Sequence, residues 1–194
     1  MNRAFRARWV LVLSVALLPA CGKKPEAPAA GAGKPSVEAP PPTPAPPVIV
    51  TIDPAAAEPK GVKAGLKLTT FLNNRFTGPG ETDSVTPGLG FDCDRNPYMN
   101  KEMALRYTGW LKVDKEGTYC FQIIADDQAT FTLNGKAVMT DYAGVKEQKV
   151  ALKPGWYEVR FDWQNNIGPA CLTVKWALGD CSGVAAIEAS RYFH

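Results

Sequence analysis

Asp126 and Asp127 follow one another directly in "TYCFQIIADDQATFTLNGK", at the end of a run that alternates aromatic and apolar residues with other types. Neighbouring carboxylates repel, so solvent, a turn hydrogen-bond network or a bound cation has to offset them. In a turn the pair would accept backbone N–H bonds; around a cation it would supply ligand oxygens. Only the cation carries a function. Catalysis fits the pair poorly, because glycoside hydrolysis sets two carboxyl groups about 5 to 9.5 Å apart across a cleft, which adjacent residues on one loop do not offer. The single histidine is His194, and no nucleophile elbow accompanies it. The chain is therefore expected not to be an enzyme.

The elements that must position the pair read as strands. In "WYEVRFDW", Tyr157, Val159, Phe161 and Trp163 alternate with Glu158, Arg160 and Asp162, the period of a strand with one wet face. "CLTVKW" repeats the pattern with Leu172, Val174 and Trp176 inward. Asn134-Gly135 separates two alternating runs and predicts a type I′ hairpin, since both central residues must accept positive φ. Pro154-Gly155 marks a second turn. A helical apolar stripe is nowhere sustained over three turns. The expected fold is an antiparallel all-β sandwich over residues 61–194, a length that buries roughly two-thirds of the unfolded surface.

Four cysteines lie in that domain, Cys93, Cys120, Cys171 and Cys181. In an exported chain an even number reads as two disulfides, with three connectivities open. A zinc site lacks both a CxxC pair and an internal histidine.

The first segment, "MNRAFRARWVLVLSVALLPAC", sets Arg3, Arg6 and Arg8 before an apolar run from Trp9 to Leu18. About ten apolar residues are too few for the roughly 20 that cross a bilayer, so residues 1–20 are expected to be a signal peptide. The ending "LPAC" resembles the lipobox of bacterial lipoproteins, cut before a cysteine that then receives diacylglycerol. The alternative is an ordinary secretion signal that leaves Cys21 a free thiol. Acyl chains contribute about 0.8 kcal/mol per buried CH2, so a lipidated Cys21 anchors the protein to a membrane without spanning it. Gly22 follows where an Asp would signal inner-membrane retention. The expected location is the bacterial cell envelope, by default the outer membrane, with the domain facing the periplasm or the surface.

Residues 21–60 hold eleven prolines, many alanines and no amphipathic period. Such a composition buries too little apolar surface to offset chain entropy, so a disordered spacer of polyproline character is expected, on the order of 120 Å long if fully extended. "VIVTI", Val48 to Ile52, is the one place where a strand could dock on the domain. The formal charge of +3 belongs to the signal; without its three arginines 19 basic residues face 19 acidic ones. That balance gives no reason to expect nucleic acid as a partner.

The run Ala104 to Val138, "ALRYTGWLKVDKEGTYCFQIIADDQATFTLNGKAV", resembles the domain named after the fourteen-kilodalton fragment of anthrax protective antigen, found in flocculins, adhesins and some glycosidases. "LKPGWYEVRFDW" and "LTVKW" look like its later strands, "GLKLTTFLNNRFTGP" its opening strand and "IEASRYFH" its closing segment, so the likeness covers almost all of 61–194. The resemblance implies a β-sandwich with loops gathered at one end. In the sugar-binding members the paired aspartates join through a cis peptide bond and ligate calcium, which in turn binds vicinal glycan hydroxyls. The matching residues are Asp126 and Asp127. Two aspartates are too few for calcium's six to eight oxygens. The resemblance draws the rest from the loop Trp163 to Cys171, here Asn165, Asn166 and backbone carbonyls around Ile167 and Gly168. Gln128 stands where many members have Gly. With the lipobox anchoring the chain, the resemblance implies a membrane-anchored lipoprotein whose calcium-dependent, lectin-like or adhesin-like domain binds a glycan or envelope polysaccharide. The competing expectation is a structural or interaction domain that contacts another envelope protein or peptidoglycan without metal.

Overall fold

The computed structural model describes residues 48–194. The expected signal peptide, Cys21 and the tether up to residue 47 lie outside the described residues. Eleven strands make up the domain: β1 Ile49–Ile52, β2 Leu66–Phe71, β3 Thr82–Thr86, β4 Gly90–Phe91, β5 Met103–Val113, β6 Gly117–Leu133, β7 Lys136–Leu152, β8 Gly155–Asn165, β9 Cys171–Leu178, β10 Ala185–Ala186 and β11 Tyr192–Phe193, with a single 3-10 turn at Ala189–Arg191.

One strand explains the architecture. Phe121 and Phe131 are ten residues apart on β6, about 33 Å if it ran straight, yet their ring centroids lie 5.6 Å apart. β6 therefore folds back on itself. Its first half, Tyr119 to Asp126, pairs with β9, and its second half, Gln128 to Leu133, pairs with β8. β7 accompanies it through the fold, with the ladder broken between Ala125 and Ala129. The sheet order runs β1-β7-β6-β8-β5-β2-β3, with β9 branching from β6 and carrying β4 and β10. The result is a sandwich whose two layers are joined through the bent β6–β7 hairpin.

The alternating residues fill the space between the layers. Tyr157, Val159, Phe161 and Trp163 are fully buried, and Leu172 and Val174 face them from β9. The Asn134-Gly135 turn joins β6 to β7 with φ of 48° and 73°, as the hairpin pattern requires. Leu133 pairs with Lys136 across it. Two disulfides select one of the three connectivities, Cys93–Cys171 and Cys120–Cys181.

Two expectations change at the N-terminal edge. The domain begins before residue 61, because "VIVTI" docks and becomes β1. The sheet is also not purely antiparallel, because β1 runs parallel to β7, Ile49 opposite Lys149 and Ile52 opposite Leu152. The apolar run explains why the segment docks, and the free β7 edge it pairs with sets the parallel direction. Ile52 buries its side chain in the core at 1% exposure, while Val48 remains 77% exposed. Past the strand, Pro54 packs so closely on Gly155 that a Cβ there would sit 2.5 Å from it. Lys153 pairs with Asp53 at 2.9 Å, and the Asn134 amide donates to the Asp53 carbonyl at 2.8 Å.

β1 is thus a structural strand of the domain. Ile52→Ala is expected to cost about 2 to 5 kcal/mol and Val48→Ala within about 0.5 kcal/mol, measured by urea unfolding. Equal effects from both would show that the strand contributes nothing to the core.

Candidate functional site

The bend in β6 falls at Asp126 and Asp127. Asp126 is the last β6 residue paired with β9, opposite Cys171, and Gln128 is the first paired with β8, opposite Gln164. The peptide bond between the two aspartates is cis. β8 and β9 part at this level, and residues 166–170 connect them. Asn165 lies opposite Met103 at the start of β5, and Ala104 lies opposite Phe71 at the end of β2. The connections 72–81 and 92–102 therefore reach the same end of the sandwich, which becomes an apex of loops around the acidic pair.

Each of the four residues proposed as ligands has a distinct place. The Asp126 carbonyl accepts a bond of 3.0 Å from the Trp163 indole N–H. That indole is fully buried, with Phe91 packed edge-on at 5.0 Å. Asp127 Oδ2 accepts the Asn166 backbone N–H at 2.7 Å, which ties the acidic pair to the β8–β9 connection. Asn165 is buried completely. Its Nδ2 donates to the Lys101 carbonyl at 2.8 Å and more weakly to that of Tyr98 at 3.4 Å. With the amide nitrogen turned to those carbonyls, Oδ1 must face the other way, and it has no protein partner. Asn166 is exposed, and its Oδ1 accepts the Asn74 amide at 2.6 Å. The Gly168 carbonyl accepts the Asn100 N–H at 2.7 Å.

The apex thus has two uncommitted features of one kind. Burial raises the Asp126 carboxyl above its ordinary value, and the hydrogen bond to Asp127 and that residue's charge push the same way. Asn165 presents a buried carbonyl oxygen whose desolvation costs about 1–3 kcal/mol when nothing meets it. Carboxylates beside an amide oxygen form a hard-oxygen donor set, the chemistry that suits calcium. Asn166 and Gly168 are less available, since protein donors already occupy their oxygens.

Sequence reasoning missed the partners that hold this arrangement. Asn74 lies 92 residues from Asn166, and no local signal connects them. Asn96 donates to the carbonyls of Asp92, Cys93 and Ala170, and the Cys93–Cys171 bridge fastens the same loop to the start of β9. Trp163 was readable as a core residue, but its role in holding the Asp126 carbonyl was not. Away from the apex, Cys120, Cys181 and Glu147 also cluster. Both sulfurs there are committed to a disulfide and offer no thiolate.

A family model described as the PA14 domain matches residues 63–188. No curated protein matches the chain. Among solved structures, the chain is similar to the A domain of Epithelial Adhesin 9 from Candida glabrata, crystallised with Galβ1-3GlcNAc. The TM-score is 0.60 at 13% identity, covering 75% of this chain and 96% of that one. It is also similar to the PA14 domain of the MpAFP antifreeze protein, with a TM-score of 0.56 at 14% identity over 72% of this chain and 95% of that one. An anti-sigma factor domain-containing protein from Clostridium clariflavum gives a TM-score of 0.55 at 20% identity, covering 72% of this chain and 50% of that one. The chain spans about half the length of such anti-sigma proteins. At these identities the likeness is one of fold.

The raised Asp126 carboxyl has a signed consequence. Between the ordinary aspartate value of 3.8 and the raised one, the folded state holds more proton than the unfolded state, so stability falls as pH rises through that window. In buffer containing a chelator, Asp126→Asn is expected to raise the melting temperature at pH 7 and to give no advantage at pH 3. A variant that melts lower than the parent at pH 7 would contradict this account.

Proposed function

The chain belongs to the PA14 domain family, and from that premise we propose that it is a calcium-dependent glycan-binding domain, carried at the bacterial envelope on a lipid attached to Cys21. The reading rests on one observation above the others: Asn165, fully buried beside the acidic pair, turns an unpartnered carbonyl oxygen away from the carbonyls that hold its amide nitrogen. A buried amide oxygen left bare is a standing cost, and a cation at the apex removes it while also neutralising Asp126 and Asp127.

In this reading Asp126, Asp127 and Asn165 hold the ion, and calcium supplies open coordination positions for vicinal hydroxyls of a sugar. The remaining residues act through position. Trp163 fixes the Asp126 carbonyl, so the first carboxylate leaves β6 in a set direction. The Asn166 N–H keeps one Asp127 oxygen facing the loop, and Asn74 holds Asn166 in turn. The Cys93–Cys171 bridge and Asn96 keep the 92–102 connection against β9. Asn166 supports the site through its backbone N–H, with its own carbonyl engaged by Asn74. The Galβ1-3GlcNAc bound by the adhesin neighbour belongs to that protein; its bearing here is that a domain of this fold can carry a glycan.

Lipidation complements such a role. With Cys21 acylated at the outer membrane, the Pro/Ala-rich segment would carry the apex clear of the headgroups, toward polysaccharide in the periplasm or at the surface.

Calcium that binds only the folded chain, at a hundredfold excess over its dissociation constant, adds about 2.7 kcal/mol of stability. A calcium-dependent rise in melting temperature is expected for the parent and not for Asp127→Asn. A glycan array is expected to give hits that chelator abolishes. A melting temperature indifferent to chelator rejects the ion, and hits that survive chelation favour an interaction domain. Cys21→Ala is expected to move the protein from the membrane to the soluble fraction.

A further inference from the structure

At the end of the sandwich opposite the apex is a pocket that the glycan reading leaves unused. Its volume is about 240 Å³; Tyr119, Trp176 and Leu178 give it an apolar side, and Asp114, Lys115, Glu188 and Arg191 a charged one. Tyr119 comes seven residues before Asp126 on β6, about 23 Å along the strand.

The apolar side is an aromatic stack. The Tyr119 and Trp176 rings lie 4.9 Å apart and 29° from parallel, and Leu178 is 50% exposed. On the charged side the acceptors are engaged. Arg191 bonds to Asp114 and approaches Glu188 at 3.7 Å, and the Tyr119 hydroxyl donates to the Lys115 carbonyl at 2.8 Å. What remains are donors. The Trp163 indole N–H is taken by the Asp126 carbonyl, whereas the Trp176 N–H has no hydrogen-bond partner among the described residues and reaches solvent. Lys115 is exposed, and among the described residues its ammonium joins no ion pair.

This chemistry narrows the ligand. A sugar hydroxyl donates as well as accepts, and so does an ordinary peptide unit; each would turn a donor toward acceptors already taken. A proline-rich segment lacks N–H groups at its prolines and has no internal hydrogen bonds, so it offers carbonyls beside apolar rings. Aromatic-lined grooves take such segments in the polyproline conformation.

This chain carries one. Residues 38–47 read EAPPPTPAPP. At three residues per turn, Pro41, Pro44 and Pro47 share one face of a polyproline helix, and Glu38 continues that face with a charge opposite to that of Lys115. Pro47 is joined to Val48, whose carbonyl accepts from Gln148. Gln148, Phe121 and Trp176 stand in one row across β7, β6 and β9. Val48 is therefore three strand spacings from Trp176, about 14 Å. A face that includes Pro47 cannot enter the pocket of its own chain.

We propose that the pocket binds the proline-rich segment 38–47 of a second copy, so that neighbouring chains are linked pocket to tether. The Trp176 N–H donates to a prolyl carbonyl, proline rings of the shared face pack on Trp176 and Leu178, and Lys115 pairs with Glu38. This contact needs neither calcium nor sugar. Where the apex also binds glycan, linked copies present several apices to one polysaccharide, and avidity rises without a new contact at any of them.

The test is analytical ultracentrifugation of the full chain in detergent, over a concentration series with chelator present. Concentration-dependent association is expected, and the peptide EAPPPTPAPP in millimolar excess is expected to return the chain to monomer. The same peptide with Pro41, Pro44 and Pro47 replaced by alanine is expected not to compete. Trp176→Phe keeps an aromatic ring and removes the N–H, and Lys115→Glu reverses the exposed charge. Each is expected to weaken association about tenfold while keeping the melting temperature of the parent. A chain that stays monomeric, whether or not it takes up the added peptide, overturns the proposal. Association that survives the peptide and both variants lies on another surface and overturns it equally.

Discussion

A single strand that hydrogen-bonds in two layers imposes the constraint from which the rest follows. β6 pairs with β9 up to Asp126 and with β8 from Gln128, so at the changeover its backbone cannot continue in either ladder. Backbone polar groups in a sparsely hydrated place need other partners. Trp163 supplies one through its indole N–H, and the Asp127 carboxylate reaches across to the Asn166 N–H. The acidic pair sits at the apex because that is where the sheet must divide.

The core keeps this apex in place. Tyr107 and Phe161 meet edge-on at 6.4 Å, and Phe131 lies 5.4 Å from Phe161, so the aromatic rings of β5, β6 and β8 form one packed column below the bend. The loops above have a smaller aromatic anchor, Tyr98 packed on Phe91 at 4.8 Å and on Trp163 at 6.0 Å, and further ties of other kinds. The Cys93–Cys171 bridge closes a separation of 78 residues. Asn96 and Asn165 place their side-chain amides on loop carbonyls. The sandwich is held mainly by burial, and the apex by cross-links and amide hydrogen bonds added to the Tyr98–Phe91–Trp163 packing that ties it to the core.

What the sequence disclosed and what it hid divide along the same line. Period-two alternation in β8 and β9, and the Asn-Gly turn, are local signals, and each corresponds to the observed strand or hairpin. Asp126 and Asp127 stood out because like charges rarely adjoin without reason. The pairing of the cysteines was illegible, since it depends on which strands meet across the sandwich. The parallel docking of β1 was only half legible: its apolar run was visible, but the partner and direction depend on a β7 edge a hundred residues away. Asn165 and Asn166 read as equals in the sequence. One lies inside at the end of β8 and the other on the surface, because strand alternation ends between them and the loop begins.

That distinction bears on what kind of site the apex is. A loop that merely used its carboxylates as turn acceptors would gain by exposing Asp126 to water, yet burial and its neighbour hold that carboxyl above its ordinary value. The Asn165 oxygen, buried with no donor although its nitrogen holds loop carbonyls, is a second cost. Both features cost stability in the chain alone, and on the proposed reading both are offset by the same event, the arrival of a positive charge with room for further oxygens. Folded proteins stand only slightly above the stability they need; Thr173 and Tyr192 also bury a hydroxyl with no partner, so it is the coincidence of the Asn165 oxygen with the acidic pair, and not burial alone, that supports the proposed ligand reading of the apex.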